Sequence, residues 1–131
     1  MVIVDTTVWI DYLNGVATRE SEWLDRETAR RRLGLVDLMV CEILQGLATD
    51  HDAARVLRQL RRFEIFETGG VELAAEAARN YRRLRQRGRT VRKTIDCLTA
   101  TFCLREAHVL LHADRDFDAF EELLHLQIVH P

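Results

Sequence analysis

The sequence predicts an α/β domain with a central parallel sheet of four to five strands, flanked by about seven helices. Three observations carry this. Residues 1–4, Met1-Val2-Ile3-Val4, are apolar on both faces of an extended chain, as a strand covered on two sides must be. Short apolar runs then alternate with longer amphipathic stretches, the pattern of right-handed crossovers between parallel strands. Finally, 131 residues with 47% hydrophobic content suit a single domain, residues 1–131, around one sizeable core.

The elements follow in order. After strand 1, Thr6 or Thr7 can cap a helix running to about Leu13, and Asn14-Gly15 ends it. A second helix is expected from about Thr18 to Arg31, with Trp23 and Leu24 on its apolar side. Leu33 to Val36 reads as strand 2. Asp37 then caps a third helix, Leu38 to Leu47, and Asp50 opens a fourth whose Ala53, Ala54, Leu57, Leu60 and Arg61 repeat at helical spacing. Phe63 to Phe66 is strand 3, broken by Gly69-Gly70. A long fifth helix, about Val71 to Gln86, carries Leu73, Ala74, Ala77, Ala78, Tyr81 and Leu84 as one stripe and stops at Gly88. Thr94 to Ala107 is a sixth helix, His108 to His112 strand 4, Asp116 to Leu124 a seventh helix, and Leu126 to Val129 a short final strand.

No apolar run is long enough to span a membrane. The opening stretch lacks a basic n-region and a small-residue cleavage site, so a strand is expected there and not a signal peptide. Cys41, Cys97 and Cys103 are an odd set without CxxC spacing. Each sits in an apolar helical context, which predicts buried free thiols in a reducing cytoplasm.

The net charge of −2 argues neither for nor against nucleic acid, but its distribution is uneven. Residues 79–93 carry seven arginines and Lys93, the only lysine, with no acid among them. From residue 94 onward, seven acids face only Arg105 and Arg115. A basic segment beside acidic positions suits a phosphate-bearing substrate approaching bound cations. A solvated helix face pairing with acids elsewhere is the plainer reading.

Several acids stand at strand ends or inside apolar helices. Asp5 follows strand 1, at the carboxyl end where an open α/β sheet places its ligands. Asp114 and Asp116 follow strand 4, and Asp96 lies in the first turn of the sixth helix. Glu42 is mid-helix among Val40, Cys41, Ile43 and Leu44, with Gly46 one turn later. Singly, the aspartates can be helix caps or first-turn acids. A buried mid-helix glutamate needs a partner. Together, converging carboxylates repel one another unless cations sit between them. An all-oxygen donor set points to Mg²⁺ or Mn²⁺ and away from zinc. Such a site fits phosphodiester hydrolysis. Thr7 can hold a water or a phosphate oxygen there, or simply cap helix 1.

Four stretches, Val4-Asp5-Thr6-Thr7-Val8-Trp9, Cys41-Glu42-Ile43-Leu44-Gln45-Gly46, Thr94-Ile95-Asp96-Cys97-Leu98-Thr99-Ala100 and Asp114-Arg115-Asp116-Phe117, occur in this order over nearly the whole chain. In this they resemble the PIN-domain ribonucleases, and more closely the VapC-type toxins of toxin–antitoxin pairs. The resemblance implies a PIN-like fold and a Mg²⁺- or Mn²⁺-dependent endoribonuclease. It implies Asp5, Glu42, Asp96 and Asp114 as core acids, Asp116 as a frequent fifth, and Thr7 as the hydroxyl two residues after the first acid. His112 departs from a hydroxyl found in many relatives. It can touch substrate or play a strand-end structural role. The resemblance also implies an RNA substrate and a homodimer; from its charge, the segment Arg79–Lys93, with Arg92 and Lys93 at its end, is the expected contact for the RNA backbone. A VapB-type antitoxin is implied too, in a helical groove for which Trp9, Leu13 and Trp23 are plausible lining, if the tryptophans are not ordinary core.

Two other classes stay open. A phosphate-handling hydrolase with Asp5 as nucleophile usually has a second aspartate where Thr7 stands, and only Lys93 could serve as its lysine. A catalytically silent PIN-like module that binds RNA or protein would have no use for intact acids.

Overall fold

The computed structural model describes residues 1–131. Four strands, β1 (Val2–Val4), β2 (Leu33–Val36), β3 (Glu64–Phe66) and β4 (Val109–Leu111), form one sheet in the order β3-β2-β1-β4. All three pairings are parallel. β1 is central, and Ile3 and Val4 are fully buried, as a strand without polar residues requires. The chain leaves β1 towards β2 and β3 on one side and returns to β4 on the other. The crevice where the winding reverses therefore opens beyond the carboxyl ends of β1 and β4. Val4 pairs with Leu111, and the Asp5 N–H donates to the Leu111 carbonyl at 2.9 Å, so the two strands end side by side.

Seven helices cover the sheet: α1 (Thr6–Leu13), α2 (Arg19–Glu27), α3 (Asp37–Gln45), α4 (Asp50–Leu60), α5 (Gly70–Gln86), α6 (Thr94–Glu106) and α7 (Asp118–Leu124). No helix is long and apolar enough to cross a membrane. The core joins strand residues to side chains of every helix: Val8 and Trp9, Leu24, Met39 and Ile43, Val56 and Leu60, Leu73 and Leu84, Phe102 and Cys103 of the largely buried α6, and Phe120. Each such side chain contributes about 1.5–3 kcal/mol on burial. Gly34 is required in β2: a Cβ there would lie 2.8 Å from the Glu64 carbonyl oxygen on β3.

Several boundaries differ from those expected from the sequence, each for a local reason. Thr6 and Thr7 do not cap α1; Asp5 holds the N-cap position, and both hydroxyls turn to carboxylates. Asp37 is the first residue of α3 rather than its cap. α2 stops at Glu27, because Ala29 to Arg32 are exposed and give a helix nothing to pack. Along α5, Ala74 and Ala78 face solvent, and Asn80 is buried by donating to Thr101 Oγ1 at 3.1 Å. The expected last strand is only a bridge, Leu110 to Ile128. α7 begins two residues late because the Asp114 side chain first caps a 3-10 turn, Arg115–Phe117. Cys97 and Cys103 are buried, but Cys41 is exposed, since α3 turns that face outward.

Candidate metal centre

Five acids reach the crevice from four segments. Asp5 is delivered by β1 and is only 5% exposed. Thr7 Oγ1 donates to its Oδ2 at 3.2 Å. Burial raises the Asp5 carboxyl to about 6, opposed by the Thr6 backbone and the Thr7 hydroxyl and reinforced by the charge of Glu42. Glu42 comes from α3, half-buried, and its Oε1 accepts from Thr6 Oγ1 at 2.8 Å. Adjacent threonines thus serve two acids: Thr6 holds Glu42 and Thr7 holds Asp5. The sequence suggests only a capping role for Thr6, and no local signal distinguishes a cap from a hydroxyl that holds a distant acid.

Asp96, in the first turn of α6, is equally buried. Burial raises its carboxyl to about 7, and the charges of Asp5, Asp114 and Asp116 push the same way against Lys93. Asp114 and Asp116 follow β4, both half-buried. Asp114 Oδ1 accepts the Asp116 N–H at 2.9 Å, which sets the spacing of the pair. Carboxylate oxygens of Asp96, Asp114 and Asp116 lie within 4.8 Å of one another. Asp5 stands beside this trio, against Asp96, and Glu42 stands against Asp5.

The donor set suits a hard divalent cation. Asp96 Oδ2 is buried without a hydrogen-bond partner. Buried, mutually repelling carboxylates are uncompensated without positive charge. All the donors are oxygens, as Mg²⁺ and Mn²⁺ prefer. The nearest imidazole is otherwise engaged: His112 Nδ1 accepts the Asp114 N–H at 3.1 Å, its ring packs on Phe117 with centroids 4.9 Å apart, and burial lowers its pKa. His112 therefore props the Asp114 loop in the strand-end role. Cys103, one face of α6 further on, is an inert thiol, its pKa pushed up to about 12 by burial and then by the charge of Asp5.

The remaining expected contacts sit at the rim. Thr7 is exposed, with its hydroxyl on Asp5. Arg92 extends into solvent with Nη2 3.5 Å from Asp116 Oδ1, and Lys93 precedes α6 close enough to lower Asp96. Within the basic segment, Arg89 pairs with Glu122 and Arg85 lies over the Tyr81 ring, whereas Arg79, Arg82, Arg83 and Arg87 are exposed and without ion pairs. The segment is thus partly a paired helix face and partly free positive charge.

A separate groove of about 510 Å³ lies between α1, the end of α2 and the end of α4, with Trp9, Tyr12, Leu13, Leu60 and Phe63 in its wall. Trp9 is both core and lining: it is fully buried, 4.8 Å from Phe63, and its Nε1 has no partner. Trp23 does not line the groove; it is half-buried under Arg31, whose guanidinium lies 5.8 Å from its ring.

Comparison with known proteins agrees with this architecture. A family model described as the PIN domain matches residues 2–123. The chain is 29% identical over 130 residues to VapC ribonuclease Mb1587 of Mycobacterium bovis, covering 97% of this chain and 96% of that protein. Ribonuclease VapC11 of Mycobacterium tuberculosis matches with the same identity and coverage. Among solved structures, VapBC2 from Rickettsia felis bound to a promoter DNA fragment superposes with a TM-score of 0.75 at 16% identity, covering 98% of each chain. A toxin–antitoxin complex from Klebsiella pneumoniae gives 0.74 at 16% identity, covering 100% of this chain and 98% of that one. At such identities the structural likeness speaks for the fold.

Proposed function

This chain belongs to the PIN domain family, and from that premise we propose that it is the toxin of a type II toxin–antitoxin pair, a divalent-metal-dependent endoribonuclease. Residues 1–131 act as a single PIN domain in this reading. The observation that carries it is the meeting of Asp96, Asp114 and Asp116 oxygens within 4.8 Å, with Asp5 and Glu42 alongside, in the crevice of a parallel sheet. The full-length likeness to proteins named VapC ribonucleases supplies the substrate class, RNA.

Asp5, Asp96, Asp114 and Asp116 would hold Mg²⁺ or Mn²⁺, and Asp5, Glu42, Asp96 and Asp114 form the catalytic set. A divalent ion there would neutralise charge on the scissile phosphate and acidify the attacking water. The chain's own groups supply the rest. Thr7 and Thr6 fix the rotamers of Asp5 and Glu42 through their hydroxyls. The Asp116 N–H fixes Asp114. Glu42, half-buried and held by Thr6, is the acid of the catalytic set left to accept a proton from water, because the other three are proposed metal ligands. Arg92 and Lys93 put two cations where a phosphodiester approaches, and Thr7 is exposed with its hydroxyl on Asp5. The free arginines of α5 extend that positive rim along the RNA backbone.

The apolar groove of Trp9, Tyr12, Leu13, Leu60 and Phe63 is our proposed seat for a VapB-type antitoxin segment. A homodimer acting in the cytoplasm completes the reading.

The test is cleavage of RNA by the purified protein with Mg²⁺ or Mn²⁺. Asp5→Asn and Asp96→Asn, which keep shape and remove charge, should lose cleavage and growth inhibition while remaining folded. Full cleavage by either variant ends this mechanism. Calorimetric Mn²⁺ binding without any cleavage by the wild type would leave the catalytically silent RNA- or protein-binding module instead.

A further inference from the structure

We propose that the pocket on the outer flank of Asp114 reads one RNA base next to the scissile phosphate, and that the base it fits is guanine; the inference rests on the ribonuclease reading. The pocket, about 250 Å³, is bounded by the loop after β4, the starts of α2 and α7, and residues 128–131. Asp114 is a wall of both the pocket and the acid centre, whereas Asp116 and Arg92 do not border the pocket. A strand laid from Arg92 over Asp116 and Asp114 would reach this pocket next.

Its volume, below the roughly 300–1,000 Å³ of pockets for drug-sized ligands, accommodates a single heteroaromatic ring, with the rest of a nucleotide left in solvent. Ile128 and Val129, half-buried, supply an apolar surface for a ring to lie on.

Its free polar groups then select among bases. Three of the polar side chains are already engaged. His130 Nε2 is 2.7 Å from Glu121 Oε1, Arg19 donates to the Pro131 carbonyl, and His112 Nδ1 accepts the Asp114 N–H. What remains without a partner is the Arg115 guanidinium and the carboxylates of Glu20 and Asp118, none of the three in an ion pair, together with His112 Nε2, which is sealed from solvent and so closed to a ligand. The pocket thus offers a fork of N–H donors together with a carboxylate acceptor. Guanine matches both: O6 and N7 accept from an arginine fork, and N1–H with the N2 amino group donates side by side to a carboxylate. Adenine and cytosine present an amino group without the adjacent N–H, and uracil presents one N–H between two carbonyls. A purely electrostatic role for Arg115, on the backbone, would need charge but not the fork.

The test maps RNA 5′ ends after digestion of a randomised RNA pool by the full-length protein in Mn²⁺. The wild type should show guanine enriched at one position flanking the cut. Arg115→Lys, which keeps the charge and loses the fork, and Asp118→Asn should each reduce that enrichment about tenfold or more, the discrimination of one bidentate pair, with cutting retained at other sequences. Enrichment that survives in both variants, or cutting by the wild type with no flanking guanine preference, overturns the inference and leaves the nuclease intact. No cleavage by the wild type at all overturns the nuclease reading, and this inference falls with it.

Discussion

Asp96→Asn should make the metal-free protein more stable at alkaline pH while abolishing its use of metal. The wild-type carboxyl, buried and facing the charges of Asp5, Asp114 and Asp116, is raised from 3.8 to about 7. Between those values the folded chain keeps a proton that the unfolded chain has released. Stability of the metal-free protein therefore falls as pH rises from about 4 to about 7, and the whole penalty is present above that. At about 1.36 kcal/mol per pKa unit, the charged Asp96 costs roughly 4 kcal/mol. Asparagine removes the charge but brings a buried amide NH₂ to a place where Oδ2 already lacks a partner, a new cost of about 1–3 kcal/mol. The net gain at pH 8 is about 1–3 kcal/mol, and at about 4 °C per kcal/mol for a chain of this length the melting temperature rises by about 4–12 °C.

The assay is thermal and urea unfolding of both proteins in chelator at pH 4 and pH 8, then in Mn²⁺. The gain should be present at pH 8 and absent at pH 4, where the wild-type carboxyl keeps its proton in the folded state. Saturating Mn²⁺ should reverse the order, since an ion at 100 times its Kd stabilises the wild type by about 2.7 kcal/mol and the variant little. A variant no more stable than wild type at pH 8 in chelator, or equally stabilised at both pH values, refutes the account of Asp96 as a strained, charge-crowded ligand.

Three further outcomes follow from the same geometry. Thr6→Val should free Glu42 from its 2.8 Å hydrogen bond, a bond to a carboxylate that contributes about 1.5–3 kcal/mol; kcat and the melting temperature should both fall, and Thr6→Ser should restore both. Gly34→Ala should destabilise by about 1–3 kcal/mol in urea titration, because the new methyl meets the Glu64 carbonyl at 2.8 Å. Replacing Arg82, Arg83 and Arg87 by glutamine should weaken binding of unrelated RNAs alike and flatten the salt dependence by about 0.7 for each phosphate left without its arginine, measured by fluorescence anisotropy across salt.

The fold was legible where it depends on neighbours in sequence. β1 announces itself by four apolar residues, α5 by length and periodicity, and β2 matches its expected bounds, Leu33–Val36. Where expectation and structure part, long-range packing decides. α2 is cut short because nothing covers Ala29 to Arg32, and the last strand shrinks to one bridge at the edge of the sheet. Cys41 is exposed although its neighbours in sequence are apolar, because helical phase relative to the core sets its exposure and composition does not. Trp9 and Trp23 look alike in sequence; only packing makes one a groove wall and the other a cover under an arginine.

For the candidate site, the chain's local chemistry determined which residues are dear to bury: Asp5 at the end of an apolar strand, Glu42 inside an apolar helix, Asp96 at a helix start, and the Asp114–Asp116 pair. Their identities and order are written in single stretches. That they meet is decided only by the sheet. β1 and β4, more than a hundred residues apart, end in register, so Asp5 and Asp114 share one crevice. The tertiary structure also decided the division of labour: Asp96, Asp114 and Asp116 in one tight group, Asp5 beside them, and Thr6 and Thr7 turned to different acids. The reason is physical. A residue's cost of burial follows from its own chemistry, whereas a distance between carboxylates follows from strand register and helix phase, which no local stretch contains.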